Sequence, residues 1–248
     1  MRSVLLLGLA ACLACSSSSS HGAAPSGGDG GTGDDSSTAN SFTCGKGTVT
    51  GTLRATDPNG LGPVAGVTLK APGCTTAVSD ARGYVNVATD PSFVINLDIT
   101  AGGSMHEYVS LQAKKTGFAG EGYVYESNIT SKLPGWSTAQ GYLFVLAAGS
   151  GSPDAGSCAK GDGVTFSIKG HPEIKATYWS DPLTPDTMLP STGSLGIATL
   201  GPVPPGTYEV DGTKAGCTLA PVDNANFAFE STVVFSAGVL SIQELMVR

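Results

Sequence analysis

Turn residues interrupt this chain so often that no long element has room to form. The runs between them are short and alternate apolar with polar residues. They begin with "GTVTGTLRATD", continue through "PVAGVTLKAPG" and "TTAVSDARGYVNVATD", and reach "FVINLDITAGG" and "EYVSLQAKKTGFAG" by residue 120. Side chains that alternate with period two suit a strand with one face buried, and tight turns between such runs suit antiparallel neighbours. The chain has 35 glycines and 15 prolines, yet 40% of its residues are apolar, enough to fill a core. The fold class expected is therefore all-β, built of small antiparallel sandwiches. The net charge of −7 comes with no basic patch, which argues against nucleic acid as a partner.

The N-terminus is organised differently. Arg2 precedes an apolar run from Val4 to Ala14 that is too short to cross a bilayer, and small residues then lead into cysteine. This resembles the lipobox of bacterial lipoproteins, in which the chain is cut before a cysteine that becomes lipidated. Leu9-Ala10-Ala11-Cys12 follows the consensus more closely. Cys15 gives a signal of more usual length followed by serines, so Cys15 is the expected acceptor and Cys12 the alternative. Residues 1–15 are then a signal peptide. Residues 16–42, beginning "SSSSSHGAAPSGGDGGTGDDSSTAN", form a tether with too little apolar surface to order itself. The resemblance implies an exported protein held at the membrane by a lipid anchor. Ser16 or Leu13, and not Asp, follows the candidate cysteines, which points to the outer membrane, facing the periplasm or the exterior.

Four cysteines follow the tether, Cys44, Cys74, Cys158 and Cys217, and an even number in an exported chain favours disulfides. Their count allows three pairings. Cys-x-Lys-Gly occurs at both Cys44 and Cys158, each followed by one further cysteine, so the repeat favours Cys44–Cys74 and Cys158–Cys217. It also suggests two units, over 43–149 and 158–248, joined by a linker at 150–157. The run "YLFVLAA" between them reads equally as helix or strand.

Gly47-Thr48-Val49-Thr50-Gly51, then Gly66-Val67-Thr68-Leu69, then Ser79-Asp80-Ala81-Arg82-Gly83-Tyr84 resemble the motifs of the carboxypeptidase regulatory-like domain, a transthyretin-like β-sandwich. The second unit is more degenerate, with Gly193 standing roughly where Gly83 does. The resemblance implies sandwich folds that usually perform no chemistry themselves. His106-Glu107 and His171-Pro172-Glu173 lack the zinc-ligand spacing of a metallocarboxypeptidase, so no catalytic residue, metal or cofactor is assigned. The expectation is a non-catalytic envelope module with a structural or protein-interaction role. The alternative is carbohydrate binding, with Trp136, Tyr178 and Trp179 in loop-like surroundings as stacking surfaces for a polysaccharide.

Overall fold

The computed structural model describes residues 40–248 apart from 59–61, 92, 182 and 225–226; the signal peptide, Cys12, Cys15 and the tether up to residue 39 lie outside the described residues. The described residues form eighteen strands and two 3-10 segments, and the chain is all-β as expected.

The first unit contains β1 (Ser41–Thr43), β2 (Val49–Thr56), β3 (Thr68–Lys70), β4 (Ala77–Val78), β5 (Tyr84–Thr89), β6 (Val94–Thr100), β7 (His106–Ala113) and β8 (Phe118–Tyr123). One sheet has the order β1-β5-β2-β8, and the strands facing it have the order β4-β3-β6-β7. Val49, Val85, Val87 and Phe118 from the first sheet close on Leu69, Ile95, Leu97 and Val109 from the second.

The second unit repeats this plan. It contains β9 (Gly141–Gly149), β10 (Thr165–Ile168), β11 (Ala176–Asp181), β12 (Thr184–Asp186), β13 (Ile197–Val203), β14 (Gly206–Thr213), β15 (Leu219–Pro221), β16 (Phe227–Phe229), β17 (Thr232–Phe235) and β18 (Val239–Val247). β5 runs antiparallel to β2 and β8 runs parallel to it; β13 and β18 flank β9 in the same two senses. β6 pairs antiparallel with β3 and β7, as β14 does with β10 and β17.

The repeat extends to single hydrogen bonds. The Ser79 hydroxyl accepts from the Val67 N–H at 2.9 Å and donates to the Val64 carbonyl at 2.9 Å. Thr192 does the same with the Val164 N–H and the Gly161 carbonyl, both at 2.8 Å. Four residues on, the Gly83 carbonyl accepts from the Ala55 N–H, as that of Gly196 does from Ala147. Both glycines have positive φ, 78° and 69°. A Cβ would lie 2.5 Å from the Ala55 oxygen in one case and 2.3 Å from the Ala147 oxygen in the other, so only glycine fits.

These equivalences correct the sequence alignment of the two halves. Gly196, and not Gly193, is the counterpart of Gly83; Gly193 stands at the place of Asp80, whose carboxylate accepts from the Arg82 and Tyr84 N–H groups. "YLFVLAA" is a strand and opens the second unit; it is not the end of the first, as the unit boundary at 149 would have it. The stretch at 150–157 therefore lies inside the second unit, between β9 and β10, and runs into a 3-10 segment over Pro153–Ala159. The sheets are mixed instead of purely antiparallel, because β8 and β18 each return from the opposite sheet and arrive parallel to β2 and β9. β17 and β18, although adjacent in sequence, do not pair: β17 pairs with β14, whereas β18 pairs with β9 and β7.

The two units share one sheet. β18 lies between β9 and β7, parallel to both, and so fuses the sheet of the second unit to the β7-β6-β3-β4 sheet of the first. Its two faces serve different cores. Leu245 and Val247 belong to the second core, while Ile242 and Met246 pack on the first. β9 alternates likewise, with Leu143 and Val145 on one side and Tyr142 and Phe144 on the other. Strands covered on both faces read as continuous apolar runs, which is why "YLFVLAA" shows no alternation.

Removing the paired hydroxyls tests the repeated turn. Ser79→Ala and Thr192→Val each leave a buried N–H without its partner and should lower unfolding free energy by about 1–3 kcal/mol. Urea denaturation of each variant against the parent measures this, and an unchanged midpoint for both would show that the hydroxyls are not needed to hold the turns.

Candidate functional site

The cysteines form the two expected bonds. Cys44 is joined to Cys74 with Cα atoms 4.3 Å apart, and Cys158 to Cys217 with Cα atoms 5.7 Å apart. The bonds are not equivalent within the repeat: Cys44 precedes β2, whereas Cys158 follows β9.

The three aromatic candidates do not form a binding surface. Trp179 lies within β11 and is 0% exposed; its indole N–H donates to the Thr199 hydroxyl at 2.9 Å. Tyr178 points from the opposite face of the same strand into the second core, where its hydroxyl accepts from the Phe166 N–H at 3.2 Å. Their polar neighbours in sequence suggest a loop, and the structure corrects this. The polar residues around "YW" belong to a strand that is covered on both sides, and consecutive residues there are buried in opposite directions. Trp136 is in a loop and half-buried, its ring 4.8 Å from that of Tyr142. It packs against the third core cluster, where Trp179, Phe144 and Leu240 are buried.

His106 contacts Asp98 at 3.1 Å and His171 contacts Glu173 at 3.0 Å, on separate elements. Among the described residues no three His, Cys, Asp or Glu side chains come together in a metal-binding group.

The site with unusual chemistry is a cavity of about 120 Å³ lined by both units. Leu53 and Val85 line it from one sheet, Leu97 and Val109 from the other, and Phe144 and Ile242 from the second unit. It lies where the shared sheet forks. β7 pairs with β18 along His106–Val109 but with β16 along Leu111–Ala113, and the end of β18 pairs instead with β15. Glu244 sits on β18 at this fork, lines the cavity and is 5% exposed. Burial pushes its carboxyl up to about 7, and no hydrogen bond or charge from the described residues opposes the rise.

A second acid, Glu107 on β7, is 0% exposed. Its Oε1 accepts from the Tyr125 N–H at 2.6 Å, and its Oε2 is buried without a hydrogen-bond partner. Burial pushes this carboxyl up to about 8, against the lowering effect of the Tyr125 N–H. Glu107 stands opposite Leu240, four positions before Glu244 along the shared sheet. That spacing places the two acids roughly 13 Å apart along the strands. Carboxyl pairs that hydrolyse glycosides stand closer, at about 5–9.5 Å. Neither acid was singled out from sequence. The available signal is positional: Glu244 interrupts the apolar series Leu240, Ile242 and Met246 on one face of a strand.

No protein-family model matches the chain, and no curated protein sequence matches it. The likeness to the carboxypeptidase regulatory-like domain therefore rests on the quoted motifs. Solved structures with detectable similarity include the Bacillus anthracis TIE protein, at 16% identity and a TM-score of 0.24 over 81% of this chain and 34% of that one. A streptococcal ancillary pilin matches at 11% identity and a TM-score of 0.23, over 80% of this chain and 62% of that one. The major pilin T-13 of Streptococcus pyogenes matches at 9% identity and a TM-score of 0.23, over 85% of this chain and 98% of that one. The chain thus spans about a third of the TIE protein chain. TM-scores at this level do not define a shared fold.

The buried acids set the pH dependence of stability. Both are raised above the ordinary value of 4.5, so between that value and about 8 the folded chain holds more protons than the unfolded one. Stability is then greatest at the acid end of this window and falls as pH rises through it. The expected loss implied by these two shifts is about 6 kcal/mol between about pH 5 and 8. Urea denaturation across this range checks it, and Glu107→Gln should flatten the profile. A flat profile in the parent would mean that the acids ionise as readily folded as unfolded.

Proposed function

We propose that this chain is an exported, lipid-anchored envelope protein whose folded body is a non-catalytic structural or protein-interaction module. The observation that carries the reading is the pair of disulfides, Cys44–Cys74 and Cys158–Cys217, bonds that persist in oxidising compartments. The apolar leader, the candidate lipidation site at Cys15 or Cys12 and the Ser/Gly tether supply the rest. Together they fit a body held clear of an outer membrane by a leash of roughly 25–30 Å.

The body itself suits a load-bearing or docking role. Its two units are joined through a continuous sheet, and the acids with raised pKa values lie inside the fold. A defined envelope protein is the partner this architecture favours. Polysaccharide is a weaker candidate, because Tyr178 and Trp179 are core residues and Trp136 packs against Tyr142.

Metabolic labelling with an alkyne fatty acid in the native host tests the anchor. Parent and Cys12→Ser proteins should be labelled, and Cys15→Ser should not; an unlabelled parent would overturn the anchored reading. Crosslinking in intact envelopes tests the role. Recovery of one defined protein supports an assembly module, and recovery of polysaccharide without protein overturns it in favour of glycan binding.

A further inference from the structure

We propose that the cavity at the fork between β7 and β18 is a binding site for a compact apolar molecule carrying one hydrogen-bond donor, a hydroxyl or an amine, with Glu244 as its polar contact. The inference is independent of the lipid anchor and of any protein partner.

Size sets the first limit. At about 120 Å³ the cavity is a little smaller than an engineered apolar cavity of about 150 Å³ that binds benzene. It therefore takes a molecule of roughly six to eight non-hydrogen atoms, not an extended lipid chain. The walls set the second. Leu53, Val85, Leu97, Val109, Phe144 and Ile242 surround the space with aliphatic and aromatic surface from both units. Such walls hold an apolar body through burial and contact, and they give it no orientation.

Glu244 supplies the orientation. On its face of β18 the neighbouring positions are Leu240, Ile242 and Met246, all of which pack into apolar clusters. A leucine or methionine at 244 would continue that series and occupy part of the cavity. The chain instead places a carboxyl there, 5% exposed and given no hydrogen-bond donor by the described residues. Its carboxyl has no hydrogen-bond partner among the described residues, so a bound molecule that donates to it adds a contact which the empty site lacks.

Arg54, Ser79 and Tyr125 also line the cavity. The Ser79 hydroxyl lines the cavity but is committed to the Val64 carbonyl and the Val67 N–H. The rest of the lining is apolar. An apolar body with a single donor matches the walls and the carboxyl together.

Three probes of similar size separate the possibilities: benzyl alcohol, benzylamine and toluene. Binding to the full mature chain with intact disulfides is followed by protein-observed NMR, reading methyl signals of Leu53, Val85 and Ile242. The two donor-bearing probes should bind at least about tenfold more tightly than toluene, the factor expected for one buried hydrogen bond to a carboxyl. In Glu244→Gln the benzylamine advantage should be lost, while benzyl alcohol, which can still donate to the amide oxygen, should stay within a few-fold of the parent. Ile242→Phe should abolish binding of all three by filling the space. Equal affinity for toluene and the donor-bearing probes would overturn the role of Glu244. Absence of shifts with every probe would overturn the site. The near-isosteric Glu244→Gln keeps the test decisive if Ile242→Phe fails to fold.

Discussion

The parallel pairing of β18 with two strands at once is the contact on which the rest of the molecule depends. Without it each unit would be a small sandwich with an open edge. With it, the exposed backbone edges of β7 and β9 are both satisfied by one strand, and unpaired edges of this kind are liabilities in isolated sheets. The same strand supplies Ile242 and Met246 to one core and Leu245 and Val247 to the other, so neither core is complete without it. Loss of β18 would therefore unseat both units, which couples their stabilities although each has its own disulfide.

The repeat shows which features such a unit needs and which it can vary. The hydroxyl at Ser79 or Thr192 and the glycine at Gly83 or Gly196 recur because the geometry leaves few alternatives. A buried loop needs its N–H and carbonyl groups paired, and the turn brings Cα against a carbonyl oxygen of the neighbouring strand. The carboxylate of Asp80 is absent from the second copy, where glycine stands in its place. Disulfide position varies too. A covalent link stabilises chiefly by restricting the unfolded chain, so its benefit depends on the loop it closes more than on one particular place in the fold.

This explains which parts of the structure were legible in the sequence. Strand character was legible because alternation is a direct consequence of one-sided burial, and it held for β5, β6 and β7. The Ser79–Tyr84 turn was legible because its residues are dictated by hydrogen bonding. The disulfide partners were inferred correctly from the doubled Cys-x-Lys-Gly, yet that resemblance does not follow the structural repeat. Taking it as the start of each unit displaced β9 into the first. Strands buried on both faces carry no alternation, so β9 could not be told from a helix, and the burial of Trp179 depends on a covering loop far away in sequence. Glu244 was hidden for a related reason: its burial comes from a fork between strands more than a hundred residues apart.

Two buried acids in one small core are hard to explain by stability. Each lowers the free energy of the folded state at neutral pH relative to an apolar replacement only if something else compensates, and the two differ in what is available. Glu107 accepts a main-chain hydrogen bond from Tyr125 and so helps hold the chain as it leaves β8, a structural return for its burial. Glu244 has no such hydrogen bond from the described residues, and it lines the cavity. A buried carboxyl with no hydrogen-bond partner among the described residues is the group that a molecule in the cavity would meet. That contrast between two acids of the same type, on adjacent strands of the same sheet, is what separates a structural carboxyl from a recognising one.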